Sequence, residues 1–174
     1  AMTATSGRCD ALFNNGGYGQ VGAIEDLPVE ALRAQFEANF FGYHDLTRRV
    51  IPVMRAQGHG RIVQCSSILG LVPMRFRGAY NASKHALEGY SVTLAMELEG
   101  SGIHVSLIEP GAIASRFRAN ALAQFRRTID IGASVHRKDY QDQLRRLEKQ
   151  EASNSGKLGP EAVYTVLRHA LTSP

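Results

Sequence analysis

Three short runs of β-favouring residues, each parted from the next by a stretch of helical periodicity, leave this chain few ways to fold. The runs are Ala11-Leu12-Phe13, Arg61-Ile62-Val63-Gln64-Cys65-Ser66 and Ile103-His104-Val105-Ser106-Leu107-Ile108. Gly60 and Gly102 precede the second and third, as expected where a helix has stopped and a strand begins. Between the first two runs, Leu32, Phe36, Phe40, Tyr43, Leu46, Val50 and Val53 recur every three or four residues. That pattern opens after Pro28 and closes at Gly58, and Pro52 is expected to bend its last turns. A second helical face, Tyr80, Lys84, Leu87, Ser91, Leu94 and Leu98, fills the next interval and ends at Gly100. Strand, helix, strand, helix, strand predicts right-handed βαβ units: an α/β fold with a parallel sheet flanked by helices.

The remainder differs in character. Residues 113–159 are rich in charge and mixed in period, broken by Gly132-Ala133-Ser134, and read as helical pieces forming a substrate lid or insertion. A last helix is expected over 161–171, started by Gly159-Pro160. Residues 1–174 then form a single domain, and 44% hydrophobic with 21% charged residues is ordinary soluble composition. No run approaches the ~20 apolar residues of a membrane span, and 1–10 lack an apolar signal core. Two cysteines, Cys9 and Cys65, make no disulfide framework, so a reducing cytoplasm is the expected setting.

The formal charge of +4 invites a nucleic-acid partner. Its carriers are scattered short pairs, Arg48-Arg49, Arg126-Arg127, Arg137-Lys138 and Arg145-Arg146, which read as a solvated surface instead. The six histidines show no ligand spacing, so no metal is expected. Gly89-Tyr90-Ser91-Val92-Thr93 is not GxSxG and lies within a helix, which argues against a serine hydrolase. Gly17-Tyr18-Gly19-Gln20-Val21-Gly22 does match GxGxxG. A dinucleotide fingerprint needs its third glycine in the first turn of a helix, and here Ala23-Ile24-Glu25-Asp26-Leu27-Pro28 intervenes. The match is read as a decoy.

Tyr80 and Lys84 are four apart on a helix and share a face. A phenol titrates near ~10, and a nearby ammonium favours the phenolate, so the pair suits general acid/base chemistry. Ser66-Ser67 ends the second strand, Asn14-Asn15 the first, and Glu109-Pro110-Gly111 the third. In open α/β sheets such strand ends gather at one rim, where ligands bind. Asn39 is an amide on the apolar face of the first helix, either a satisfied core residue or part of that site.

Taken in order, Asn14-Asn15-Gly16-Gly17, Asn39, Ser66-Ser67, Tyr80-Asn81-Ala82-Ser83-Lys84 and Pro110-Gly111 resemble the motifs of the short-chain dehydrogenase/reductase family, with family-like spacing over about 10–115. The resemblance implies a Rossmann-like fold and an NAD(P)-dependent oxidoreductase acting on a small-molecule carbonyl or secondary alcohol. It implies a catalytic set of Asn39, Ser67, Tyr80 and Lys84. Tyr80 would be the general acid/base, Ser67 would orient the substrate oxygen, Lys84 would lower the Tyr80 pKa and hold the nicotinamide ribose, and Asn39 would anchor a relay water. Asn14, Gly16 and Gly17 would line the adenosine side, Pro110, Gly111 and Ile113 the nicotinamide, with Tyr80 and Lys84 also touching cofactor. Ser115 falls where the family often has Thr or Ser near the carboxamide.

Two departures from the family pattern stand out. Asn-Asn-Ala-Gly is here Asn-Asn-Gly-Gly. The TGxxxGxG loop, which chooses NAD or NADP, and its neighbouring strands are not in the 174 residues, nor is the family's last strand. The expectation is a partial, truncated doubly wound fold. The alternative to an oxidoreductase is a non-catalytic fold fragment that self-associates and binds no dinucleotide. The helices around 36–54 and 84–98 correspond to the family's usual dimer interface, implying a homodimer or homotetramer. The loops at 69–78 and after Gly111 are apolar with arginines, pointing to a hydrophobic substrate bearing an acidic group.

Overall fold

The computed structural model describes residues 7–151 and 156–173; positions 1–6, 174, and 152–155 within the stretch read as a lid, lie outside the described residues. Three parallel strands, β1 (Ala11–Asn14), β2 (Gly60–Cys65) and β3 (Ile103–Ile108), lie side by side in that order. Asn14 stands opposite Gln64, and Cys65 opposite Ile108. Chain order equals spatial order, as successive βαβ crossovers require.

The first crossover is helical from Val29 to Gln57, in three parts: α1 (Val29–Phe36), a π-helical segment (Glu37–Phe41) and α2 (Gly42–Gln57). The helix runs on through Pro52 and ends at Gly58 in the left-handed conformation. The second crossover is α3 (Gly78–Glu97). Val50, Met54 and Leu94 from these helices, and Leu98 just after α3, pack on Ile62 and Ile103 of the sheet. Adjacent strand residues face opposite ways, and Ile62 and Val63 are both buried, so β2 is covered on both sides. The last helix, α6 (Pro160–Thr172), packs against β2 and β3.

A second core joins the loops to the region after β3, which folds as α4 (Phe117–Thr128) and α5 (Arg137–Glu151). Val21 and Ala23 from the β1 loop, Phe76 from the β2 loop, Phe125 from α4, Ile129 just after it, and Tyr140 from α5 form one cluster. A polar knot fastens it. The Tyr140 hydroxyl accepts from Ala23 N at 2.8 Å and donates to the Asp26 carboxylate, which also accepts from Ser134 Oγ at 2.6 Å. Burial, then Asp26, push the Tyr140 phenol up to about 12. Among the described residues no helix is long and apolar enough to cross a membrane, and no group of three His, Cys, Asp or Glu could hold a metal.

Candidate active site

Because the strands are parallel, their C-terminal ends bring Asn14, Ser66-Ser67 and Glu109-Pro110-Gly111 to one rim. The last two are laced together: Ser66 N donates to Ile108 O at 2.8 Å and Ile68 N to Pro110 O at 3.2 Å. Ser67 caps the short turn Ile68–Gly70, its Oγ accepting from Leu69 N at 3.1 Å.

The first turns of α3 carry Tyr80 and Lys84 into this rim, 7% and 4% exposed. Burial pushes the Tyr80 phenol up and the neighbouring Ser67 hydroxyl draws it back. Lys84 is held down at about 8, chiefly because burial disfavours its charge. Its Nζ donates to Cys65 O at 2.6 Å and lies 5.4 Å from the centre of the Tyr43 ring and 5.9 Å from that of Tyr80. The structure thus brings Ser67, Tyr80 and Lys84 together, with the ammonium bonded to the strand end.

Asn39 lies in the π-helical segment, fully buried. Such segments recur at functional sites. Its Nδ2 donates to Tyr18 O at 3.0 Å and Ser83 Oγ at 3.2 Å, and its Oδ1 accepts from Tyr18 N at 3.2 Å. Both amide hydrogens are therefore engaged. Asn39 fixes the β1 loop to the helix that bears Tyr80 and Lys84, and Gln35 reinforces it by donating to Tyr18 O and accepting from Gln20 N.

That loop is the GxGxxG segment, which has no helix until the turn Ile24–Asp26. Its glycines answer to close approaches. A Cβ at Gly17 would stand 2.8 Å from Asn39 Oδ1, one at Gly19 2.9 Å from the Phe117 ring, and one at Gly22 (φ +151°) 2.7 Å from Ile129 Cδ1. The spacing records where the loop threads between packed side chains.

Asn14 donates through Nδ2 to Gln64 Oε1 at 2.9 Å and Thr47 Oγ1 at 3.1 Å, leaving a buried Oδ1 with no partner. Gly16 and Gly111 are exposed, with open space where a Cβ would be. An orphaned acceptor and two bare strand-end glycines fit the approach of a nucleotide along this rim. Beyond Pro110 and Gly111, Ile113 bridges to Leu158, and Ser115 Oγ accepts from Phe117 N at 3.3 Å. The sequence names three further residues without foreseeing their contacts: Phe117 in the segment after Gly111, Tyr43 on the first helical face, and Asn81 inside the Tyr-x-x-x-Lys motif. Phe117 meets Tyr80 edge-on at 5.4 Å, Tyr43 shields Lys84, and Asn81 ties down the β2 loop. Asn81 was visible inside the Tyr-x-x-x-Lys motif and Tyr43 one turn after Asn39; Phe117 carried no periodic signal.

A family model described as "short chain dehydrogenase" matches residues 1–125. The chain is 43% identical over 162 residues to the Escherichia coli (strain K12) "Uncharacterized oxidoreductase YbbO", covering 93% of this chain and 54% of that protein. Among solved structures, it resembles an NAD+-bound xylitol dehydrogenase at 32% identity and a TM-score of 0.60, covering 63% of this chain and 42% of that one. A closed serine dehydrogenase complexed with NADP+ shares the fold at 24% identity and a TM-score of 0.77, over 95% and 60% of the two chains. The chain spans about half the length of the curated relatives it matches.

Proposed function

The chain belongs to the short-chain dehydrogenase family, and from that premise we propose that it carries the catalytic centre of an NAD(P)-dependent oxidoreductase. The reaction moves a hydride between nicotinamide and a small-molecule carbonyl or secondary alcohol. One observation carries this reading: Ser67, Tyr80 and Lys84 meet, nearly buried, at the strand-end rim. NAD or NADP, when bound, gives or accepts the hydride; solved structures of family members with NAD+ and NADP+ support that cofactor class.

The remaining work falls to this chain's residues. Tyr80, kept protonated by burial, donates its proton to the carbonyl oxygen in reduction and takes it back in oxidation. Ser67 hydrogen-bonds and orients that oxygen. Lys84 uses one of its three N–H groups on Cys65 O; the others serve the ribose and the proton path, and its charge favours the phenolate. Asn39 acts through position, holding Gly17 and Tyr18 against α3. Asn14, Gly16 and Gly17 line the adenosine side, and Pro110, Gly111 and Ile113 the nicotinamide. The described residues of the stretch after β3, 113–151 and 156–159, close over the substrate. The free cysteines suit a reducing cytoplasm, and the exposed Phe41, Leu46, Val92 and Met96 on the two crossover helices suit a homodimer or homotetramer. In an active form, Tyr80→Phe should abolish turnover with the far-UV circular dichroism unchanged; persisting turnover would overturn the assignment.

A second reading has an observation of its own. Among the described residues β1 is the sheet's edge, and a groove of about 620 Å³ lined by Arg8, Cys9, Asp10, Ala11, Leu12, Leu46 and Val50 runs beside it. An open edge pairs readily with another chain, as a non-catalytic, self-associating fragment would. Calorimetric titration with NADH and NADPH separates the two: saturable binding supports the enzyme, and no binding at millimolar cofactor supports the fragment.

A further inference from the structure

Among the described residues, Phe76 is the non-glycine that holds a left-handed backbone, with φ at +63°. A residue with a Cβ takes that conformation where its surroundings enforce it. Here the enforcement comes from across the fold. The Phe76 ring lies in the second core, its centre 5.4 Å from that of Tyr140 and 5.6 Å from that of His136, with the Arg75 guanidinium 4.6 Å away. Its carbonyl accepts from Gly22 N at 3.0 Å, which ties the β1 loop to the same point. Four residues later the chain reaches Tyr80.

His136 joins the same three segments. Its Nε2 lies 2.6 Å from Glu25 Oε1 and its Nδ1 3.8 Å from Asp139 Oδ2, and its backbone N donates to Ser134 Oγ at 2.9 Å. The groups that face it are Glu25 and Asp26 from the β1 loop, Arg75 from the β2 loop, and Asp139 and Tyr140 from α5. Arg75 pairs with Asp139 at 2.8 Å, and Asp26 accepts from Ser134 and Tyr140. Between pH 6 and pH 8 carboxylates stay ionised and guanidinium stays charged, and the Tyr140 phenol, at about 12, keeps its proton. Imidazole is the member of this set whose charge changes in that range. A neutral ring has one N–H, which the Glu25 carboxylate takes because it can only accept, and it turns a lone pair toward Asp139. The cation donates from both nitrogens and makes the Glu25 bond charge-assisted.

We propose that His136 is a proton-operated latch: as a cation it fastens the region after β3 to the β1 and β2 loops and keeps Phe76 in its strained backbone, and as a neutral ring it lets that region lift and the β2 loop relax. The form that holds the proton better gains as pH falls, so closure is firmest near pH 6 and weakens toward pH 8. The latch goes beyond the hydride-transfer reading, and its test needs no turnover.

That test is amide hydrogen exchange of this chain followed by NMR. The Ala23 amide, which donates to Tyr140 Oη at 2.8 Å, and the Gly22 amide, which donates to Phe76 O, are the reporters. Corrected for intrinsic exchange, their protection should fall roughly two- to fivefold from pH 6 to pH 8, the span of an ion pair that water still screens. Amides of β2 should keep theirs, and added salt should shrink the fall. Glu25→Gln, at an exposed position, should also shrink it. His136→Gln should abolish it, whereas His85→Gln, which removes the imidazole that meets Asn81 O on α3, should leave it whole. The exposed Glu25 variant decides the matter if the His136 variant fails to fold. Protection equal at the two pH values, a fall shared equally by β2, or a fall unchanged in Glu25→Gln would overturn the latch.

Discussion

Lys84→Met replaces a buried ammonium with an apolar side chain of similar length. Burial holds Lys84 at about 8 where 10.5 is ordinary, so below pH 8 the folded protein carries a charge its surroundings disfavour. At about 1.4 kcal/mol per tenfold, that depression corresponds to about 3 kcal/mol. The unfolded chain keeps this proton to about 10.5, while the folded chain releases it from about 8. Between those values the unfolded state holds more protons, so stability contributed through Lys84 rises with pH. The penalty is full at pH 7 and gone above 10.5. Against its removal stands the lost hydrogen bond to Cys65 O at 2.6 Å, a net contribution of about 1 kcal/mol. Lys84→Met should therefore be about 2 kcal/mol more stable than the parent at pH 7, and about 1 kcal/mol less stable near pH 10.5. Urea unfolding of both proteins at the two pH values measures this, because groups common to both cancel in the difference. Equal stability at pH 7, with a difference constant across pH, would refute the claim that Lys84 is held charged against its surroundings.

Two further perturbations probe the framework. Tyr140→Phe leaves the buried Ala23 amide without its acceptor and the Asp26 carboxylate one donor short; about 1–3 kcal/mol of stability should be lost, read from the urea midpoint, and an unchanged midpoint would show that the knot contributes nothing. Gly22→Ala places a Cβ at a φ of +151° and 2.7 Å from Ile129 Cδ1, so a loss of about 1–3 kcal/mol is expected in the same assay.

The elements that were legible in the sequence are those in which one residue type repeats one physical task. Ile62 and Val63 make a short continuous apolar run, Leu94 and Leu98 recur at a helical period, and the strands and crossover helices fall where those patterns put them. The Tyr80 and Lys84 face was legible for the same reason, being a single helical turn. The π-helical segment was not: an extra residue in a turn leaves the apolar spacing of Phe36, Phe40 and Tyr43 nearly unchanged, and it is expressed in the contacts of Asn39 with Tyr18 and Ser83. The contact of Phe117 with Tyr80 was equally silent, since it joins positions 37 apart in the chain. The GxGxxG glycines, read from the sequence as a decoy, sit where Asn39, Phe117 and Ile129 come close to the loop backbone.

Asn81 grips the β2 loop only through main-chain atoms, Leu69 O, Val72 O and Met74 N. The loop's shape is therefore indifferent to which side chains it displays. Residues 68, 71, 72 and 74 can be rewritten one by one while the anchor, and the tyrosine next to it, stay where they are. The surface that the loop displays and the placement of Tyr80, though encoded in adjacent stretches of chain, become separately heritable, and a library confined to those four positions would vary one without moving the other.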